Sequence, residues 1–577
     1  MAISNRLVVD FCREQVDDEF DFFLVSTSDK FIPSGAKCLD SKEGVCAESI
    51  AFENGKTLYI MTKKGITTKI RLVQNLSDDK LSVKKVSSNE IPNYILFRLF
   101  LYSLNNYETE NLSFNNLTGK FYIYKPDWMK KDKSSFVAIG INIDSKMDIV
   151  LEAATFAKLS LFKGNPKVKD YPKYIFSNKN NALKRVFTSL EEDVYIKKGV
   201  YNKKAEIPFL TISQIDIRNN KVFYLYYVLG LLSKKYTDYL TINFDSIEVI
   251  SSIGVEKNKS FMDNAYKEFV MQEINCVNYV DGKEYDDEFK ELLETLQKAA
   301  ESTFSVSSTV SEKKSNIVFI HNKDYYEQKK HPDPYKTIQR NAVVQCITVE
   351  DSAEKIIDDN EAIINTIIKE VVIKNDILHR HKITLDKWED YQFDGDLIFG
   401  KEKEGKHYFM VLHKDGSFDF YDKTNDFSSF DMEILNRCSD LLTDNKGKEK
   451  TIIASCDGSI NVISRTNRFP LPDKSIFELE VISRSKESRE KYLNGLVDIN
   501  LYQEDEQLYY SSSIKGSGMN TKIVHAPHLY KVDIISGKNI MPEILATLST
   551  TFVKYKSFTV LPYPIKYLNE YILMKSD

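Results

Sequence analysis

Paired cysteines at CxxC spacing, leader-like N-terminal patterns and long apolar runs are all missing from this 577-residue chain. The seven cysteines (Cys12, Cys38, Cys46, Cys276, Cys346, Cys438, Cys456) are scattered and odd in number, which argues against a disulfide framework or a zinc knuckle. A reducing, cytoplasmic setting is expected. The most apolar run, 222–232, stops before Lys234, far short of the roughly 20 residues that a membrane span requires, so no membrane partner is expected. Proline and glycine number only 14 and 21, too few for long disordered tracts. Neither sign of charge dominates: 79 basic residues face 84 acidic ones, net −5. Any polyanion site must then be a local groove rather than a whole-chain field. The motifs GxSxG, GxxxxGK[ST] and HExxH do not occur, which removes the commonest nucleophile, phosphate-loop and zinc-protease signatures. His379 and His381 lack an acidic companion at metal-site spacing and read as surface residues.

Hydrophobic residues make up 42% and aromatics 12% of the chain, ample for packed cores. The length calls for about three or four domains. Residues 1–280 alternate short β-type runs with helical patches such as 91–104, a mixed α+β half. Phe289, Leu292, Leu293 and Leu296 fall at helical spacing behind Asp286, Asp287 and Glu288, so a helix is expected there. The Ser/Thr-rich 302–315 reads as a linker, and 281–314 as helix plus linker carrying the main boundary. Strand-type runs at 315–322 and 342–349 and a helix over 361–374 make 315–390 a compact α/β module. From 391 to 577 come three hairpin strands with turns at KEGK and KDGS, the strand ending at Asp457, a strand at ELEVISR and a C-terminal helix. Hairpin strands leading into an α/β tail are the order of an RNase H-like domain. The fold class expected is therefore α/β multidomain.

A terminal phosphate is gripped by a phenol, an amide, ammonium or guanidinium groups and a helix end converging on a small volume. Tyr335, Lys336, Arg340, Gln345 and Lys369 supply those groups in one module, and Asn365 and Lys369 share a helix face. The order of a tyrosine with basic residues, a glutamine at a strand edge and Asn-xxx-Lys resembles the MID domain of Argonaute proteins, where such residues hold the 5′ end of a guide strand. The family's lysine four residues after the tyrosine is here Gln339. Residues 548–571 are similar to the end of the PIWI domain, with Pro562, Pro564 and Tyr567 on its Pro-x-Pro pattern.

The resemblance implies a MID-like domain over 315–390 and an RNase H-like PIWI domain over 391–577; no PAZ domain is recognisable in 1–280. Cleavage in that family needs two divalent ions held by four side chains, three of them acids. Asp457, in Cys-Asp-Gly, matches the third acid. Glu402 stands nearest the first, beside Lys401; Asn569 fills the fourth place, and Asp440, Asp444 and Glu449 are undistinguished candidates for the second. A tetrad so degraded implies binding without cutting, as in the long inactive prokaryotic Argonautes used against plasmids. The ligands implied are a nucleic-acid guide, with Mg²⁺ as candidate ion at its 5′ phosphate. The partners implied are a complementary target and an effector helicase or nuclease. Lys313-Lys314, Lys329-Lys330, Arg465 with Arg468, and Lys554 with Lys556 are candidate phosphate-backbone contacts. Two other readings stay open: a metal-dependent guided endonuclease using Glu402 and Asp457, and a scaffold free of nucleic acid, which the net charge favours.

Overall fold

A computed structural model describes residues 2–575 apart from 30–46, 77–79, 107–112, 115–120, 163–170, 177–182, 187–193, 198–206, 254–259, 281, 283–284, 337, 339–341, 351–360, 385–394, 423–431, 444–449, 494–495, 497–498, 512–521, 524–525 and 549–561. The protein is a mixed α/β multidomain chain with several antiparallel sheets, and it divides into two compact units. One comprises Met1–Ile247, Asn467–Asn494 and Thr521–Ala526; the other comprises Glu248–Thr466, Gly495–Asn520 and Pro527–Asp577. Among the described residues, no helix is long and apolar enough to cross a membrane.

The first unit is mixed α and β, as its alternating pattern implies. The strands Ala47–Asn54, Thr57–Lys63, Phe20–Thr27 and Leu81–Val86 form one antiparallel sheet. A seven-stranded sheet has Ser135–Ile143 and Ile149–Lys158 at its heart, packed by a cluster of buried aromatic rings from Tyr122, Tyr124, Phe136, Phe156, Tyr174 and Tyr195. The apolar run at 222–232 is the middle of the helix Lys221–Lys235, capped by the Asn220 side chain. ELEVISR, expected as a strand, carries the short helix Leu479–Ile482 instead. Its apolar residues are too few to specify a period, and the preceding turn Lys474–Phe477 sets the direction of the chain.

The second unit opens with a four-stranded parallel sheet in the order Ser305–Ser307, Ile274–Asn278, Ser315–Ile320, Val344–Thr348. Every residue of Ser315–Ile320 is buried, as expected of a central parallel strand covered by helices on both faces. The helix Asp286–Ala300 buries Leu292 and Leu296 against this sheet, with Phe289 and Leu293 packed at the rim. The boundary expected over 281–314 is thereby corrected. That segment includes the edge strand Ser305–Ser307, and the central strand Ile274–Asn278 lies before it. A linker reading rested on composition, which is blind to pairing with a distant strand.

The meander appears as expected, in the strands Leu397–Lys403, Lys406–Leu412 and Phe418–Asp422. Glu404 and Gly405 in the KEGK turn both take positive φ (54° and 78°), the pattern of a two-residue hairpin turn. Gly400 faces Phe409 across this hairpin, and an added Cβ would sit 2.7 Å from the ring. Gly400→Ala is expected to lower stability by about 1–3 kcal/mol through overpacking, measurable by denaturant titration.

Beyond the meander, Leu397–Lys403 pairs antiparallel with Lys450–Ser455, which pairs antiparallel with Ile460–Arg465, and that with Tyr530–Ser536. An α/β tail needs helical crossovers between parallel strands. The described pairs of this sheet are antiparallel, so the RNase H-like expectation for the tail is not met. The segment after Asp457 returns as a hairpin strand where a crossover helix would be required. A helix, Pro564–Lys575, ends the described chain, with Pro564 as its first residue, a position where the missing N–H costs nothing. Residues 549–561, part of the stretch similar to the end of the PIWI domain, lie outside the described residues.

Candidate functional site

Two helices of the second unit bring charged side chains together. Glu361–Asn375 contributes Lys369, Glu370 and Lys374, and Pro564–Lys575 contributes Lys566 and Glu570. Lys566 Nζ lies 2.9 Å from Glu370 Oε1 and 3.4 Å from Glu570 Oε2. Lys374 Nζ is 3.9 Å from Glu570 Oε1, and it donates to Gln345 Oε1 at 3.0 Å and to the Val344 carbonyl at 2.7 Å. Gln345, Lys374, Glu570, Lys566 and Glu370 therefore form one continuous polar chain from a strand end to the C-terminal helix. Lys369 is fully buried. Burial lowers its ammonium to about 7, with Glu370 opposing the shift and Lys566 adding to it. Burial also lowers the Lys566 ammonium, but Glu370 and Glu570 outweigh it and the net shift is upward. Lys374 and Lys566 stand against the two carboxylates, and Lys369 in its protonated form adds the charge that makes the site basic and able to take an anion.

The residues expected to grip a phosphate are distributed unevenly around it. Gln345 belongs to the site, where it accepts from Lys374 on the helix that also carries Lys369. Asn365, one turn before Lys369, accepts a hydrogen bond from the Tyr266 hydroxyl and so faces the helix Ser260–Val270. Tyr335 sits on the turn Pro334–Lys336 with 66% exposure. Lys336 shares that turn, and Arg340 lies outside the described residues. Both helices carry an i,i+4 pair of opposite charge, Glu370 with Lys374 and Lys566 with Glu570; that signal would have led to the residues missed.

The tyrosine–lysine spacing that Tyr335 lacks is present elsewhere. Tyr325 and Lys329 lie one turn apart on the helix Lys323–Lys329, with the lysine Nζ 6.0 Å from the ring centroid. The Tyr325 ring stacks on His321 at 3.6 Å, and His321 Nδ1 is 2.6 Å from Glu350 Oε1. Among the other basic candidates, Lys314 pairs with Glu273 at 3.0 Å. Arg468 is buried and bonded to Asp245 and Ser4, which makes it a structural arginine rather than a phosphate contact. Lys554 and Lys556 lie outside the described residues.

The remnant tetrad positions do not converge. Leu397 pairs with Ser455; Glu402 lies five residues beyond Leu397 at one end of the ladder, roughly 17 Å of strand, and Asp457 lies past Ser455 at the other. These two carboxylates lie too far apart along the ladder to share one ion. Each has a local role. Glu402 Oε1 accepts the Gly405 N–H at 2.6 Å and closes the hairpin turn. Asp457 accepts from the Ser455 hydroxyl and, at 2.9 Å, from the Ser459 N–H, which holds its carboxyl below the usual range. Asn569 accepts from Lys401 Nζ at 3.0 Å, so an ammonium stands beside the fourth position. Among the described residues, no group of three or more His, Cys, Asp or Glu side chains could hold a metal ion.

Mg²⁺ does not fit the lysine site either. Such an ion needs free hard oxygen donors, and Glu370 and Glu570 are taken by ammonium groups. Asp457→Asn is expected to cost about 1 kcal/mol of stability through the turn, measurable by denaturant titration with or without divalent ions.

No protein-family model matches the chain, and no curated protein matches it.

Proposed function

We propose that this chain is an Argonaute-like, guide-directed nucleic-acid-binding protein. On this reading the parallel α/β module is the MID-like domain. The antiparallel sheet with the C-terminal helix stands where the PIWI domain stands in that family, without its metal chemistry. The observation that carries the reading is the basic site at the junction of that module with the C-terminal helix, where Gln345, Lys369, Lys374 and Lys566 can receive the 5′ phosphate of a guide. Amide and ammonium donors there match a terminal phosphate, which offers three acceptor oxygens and more charge than a backbone diester.

The guide pairs with complementary invading DNA such as a plasmid in the cytoplasm, and an effector helicase or nuclease destroys the target. Separation of Glu402 from Asp457 and the Lys401–Asn569 contact support binding without cleavage. Protein purified from its host is expected to carry nucleic acid bearing a 5′ phosphate, seen as a raised 260 to 280 nm absorbance ratio and identified by sequencing. Guide-free protein that also ignores added 5′-phosphorylated oligonucleotides would overturn the reading.

A further inference from the structure

The lysines of the candidate site are already answered by carboxylates of the same chain. Glu570, whose side chain is only 8% exposed, lies between Lys566 and Lys374, while Glu370 holds Lys566 from the other helix. Lys566 and Lys374 keep 26% and 17% side-chain exposure, so solvent reaches the site along these two side chains. An anion arriving there meets Glu570 in the place it needs.

We infer that Glu570 is a resident anion occupying the phosphate's place, which an incoming terminal phosphate must displace from Lys374 and Lys566. The charge arithmetic favours such an exchange only for the right ligand. A phosphate monoester carries about −1.5 to −2 near neutral pH, more than the single charge it replaces. A backbone phosphodiester carries one charge and gains nothing by the exchange. Glu570 is thus the group that makes the site demand a strand end.

The surroundings of Glu570 are consistent with a displaceable group. Burial raises its carboxyl, Glu370 adds to the rise, and Lys566 and Lys374 oppose it. The strand Leu397–Lys403, which also packs on this helix, contributes Lys401, bound to Asn569 next to Glu570 in sequence. Glu570 is therefore the less favoured of the two carboxylates, next to a like charge and largely out of water.

The inference rests on the 5′-phosphate reading above, and equilibrium titration of 3′-labelled oligonucleotides separates the two. Wild-type protein is expected to prefer a 5′-phosphorylated over a 5′-hydroxyl oligonucleotide. Glu570→Gln, which keeps the shape and removes the charge, is expected to bind the phosphorylated one roughly tenfold more tightly. Glu370→Gln should shift affinity in the same direction, and it decides the matter if melting curves show Glu570→Gln to be misfolded. Unchanged or weaker binding in a folded variant, with the wild-type preference intact, overturns the inference alone. No 5′-phosphate preference in the wild type overturns the reading and the inference with it.

Discussion

Lys566→Ala is expected to weaken binding of a 5′-phosphorylated oligonucleotide roughly ten- to a hundredfold while changing 5′-hydroxyl binding little. A hydrogen bond to a charged group contributes about 1.5–3 kcal/mol, and 1.4 kcal/mol is tenfold in affinity. Removing Lys566 also leaves Glu370 and Glu570 without their common cation, which adds repulsion toward any phosphate. Lys369→Met, which keeps the buried alkyl volume, should lower affinity in the same selective way. Because burial brings the Lys369 ammonium down to about 7, affinity for the phosphorylated strand is expected to fall as pH rises through that value. Losses equal for both oligonucleotides would place Lys566 on the backbone rather than on the strand end.

The largest expected effect on stability is at Asp376. The helix Glu361–Asn375 runs on into a wide turn, Asp376–Arg380, whose first residue is fully buried. Asp376 Oδ2 accepts from the Tyr567 hydroxyl at 2.8 Å and the Thr384 N–H at 2.9 Å; Oδ1 accepts from Arg380 Nη1 and the Thr384 hydroxyl, both at 3.0 Å. Tyr567 lies on the C-terminal helix, so this carboxylate ties that helix to the end of Glu361–Asn375 and keeps Lys566 within reach of Glu370. Asp376→Ala strands three buried donors, the Tyr567 hydroxyl and the Thr384 N–H and hydroxyl, and leaves the half-buried Arg380 with Glu268 as its carboxylate partner; it is expected to cost about 3–5 kcal/mol.

Asp376 also predicts a pH slope. Burial raises its carboxyl to about 6, against the opposing pull of Arg380, Tyr567 and Thr384, whereas an unfolded aspartate titrates near 3.9. The folded protein then binds more protons than the unfolded chain between those values. The contribution of this group is full below about pH 4 and is lost as pH rises through about 6, on the order of 3 kcal/mol in all. Denaturant titrations across that range should show the decline, and Asp376→Asn should flatten it. A variant with the wild-type slope would assign the effect to other groups.

Much of the second unit is legible along the chain. The stretch Ile317–Ile320 within the strand is apolar throughout because a parallel strand is buried on both faces. The KEGK turn announces its hairpin through the glycine that φ > 0 demands, and Phe289 to Leu296 give the helix its period. These properties depend on neighbours within a few residues, which is why periodicity and turn chemistry report them. The donor types for an anion site, Gln345 and Lys369 among them, are likewise visible in sequence.

Tertiary structure alone decided which of those donors meet. Lys374 and Lys566 come from helices far apart in sequence, and their encounter depends on how the C-terminal helix docks through Tyr567 and Asp376. Strand direction after Asp457 and the register that sends Glu402 and Asp457 to opposite ends are also long-range outcomes. Pairing is set by loop closure and by the packing of whole elements, and no local pattern of residues encodes it. The sequence by itself determined the inventory of strands, helices and charged groups; the packing of the two helices determined that three lysines, two glutamates and one glutamine became a single site.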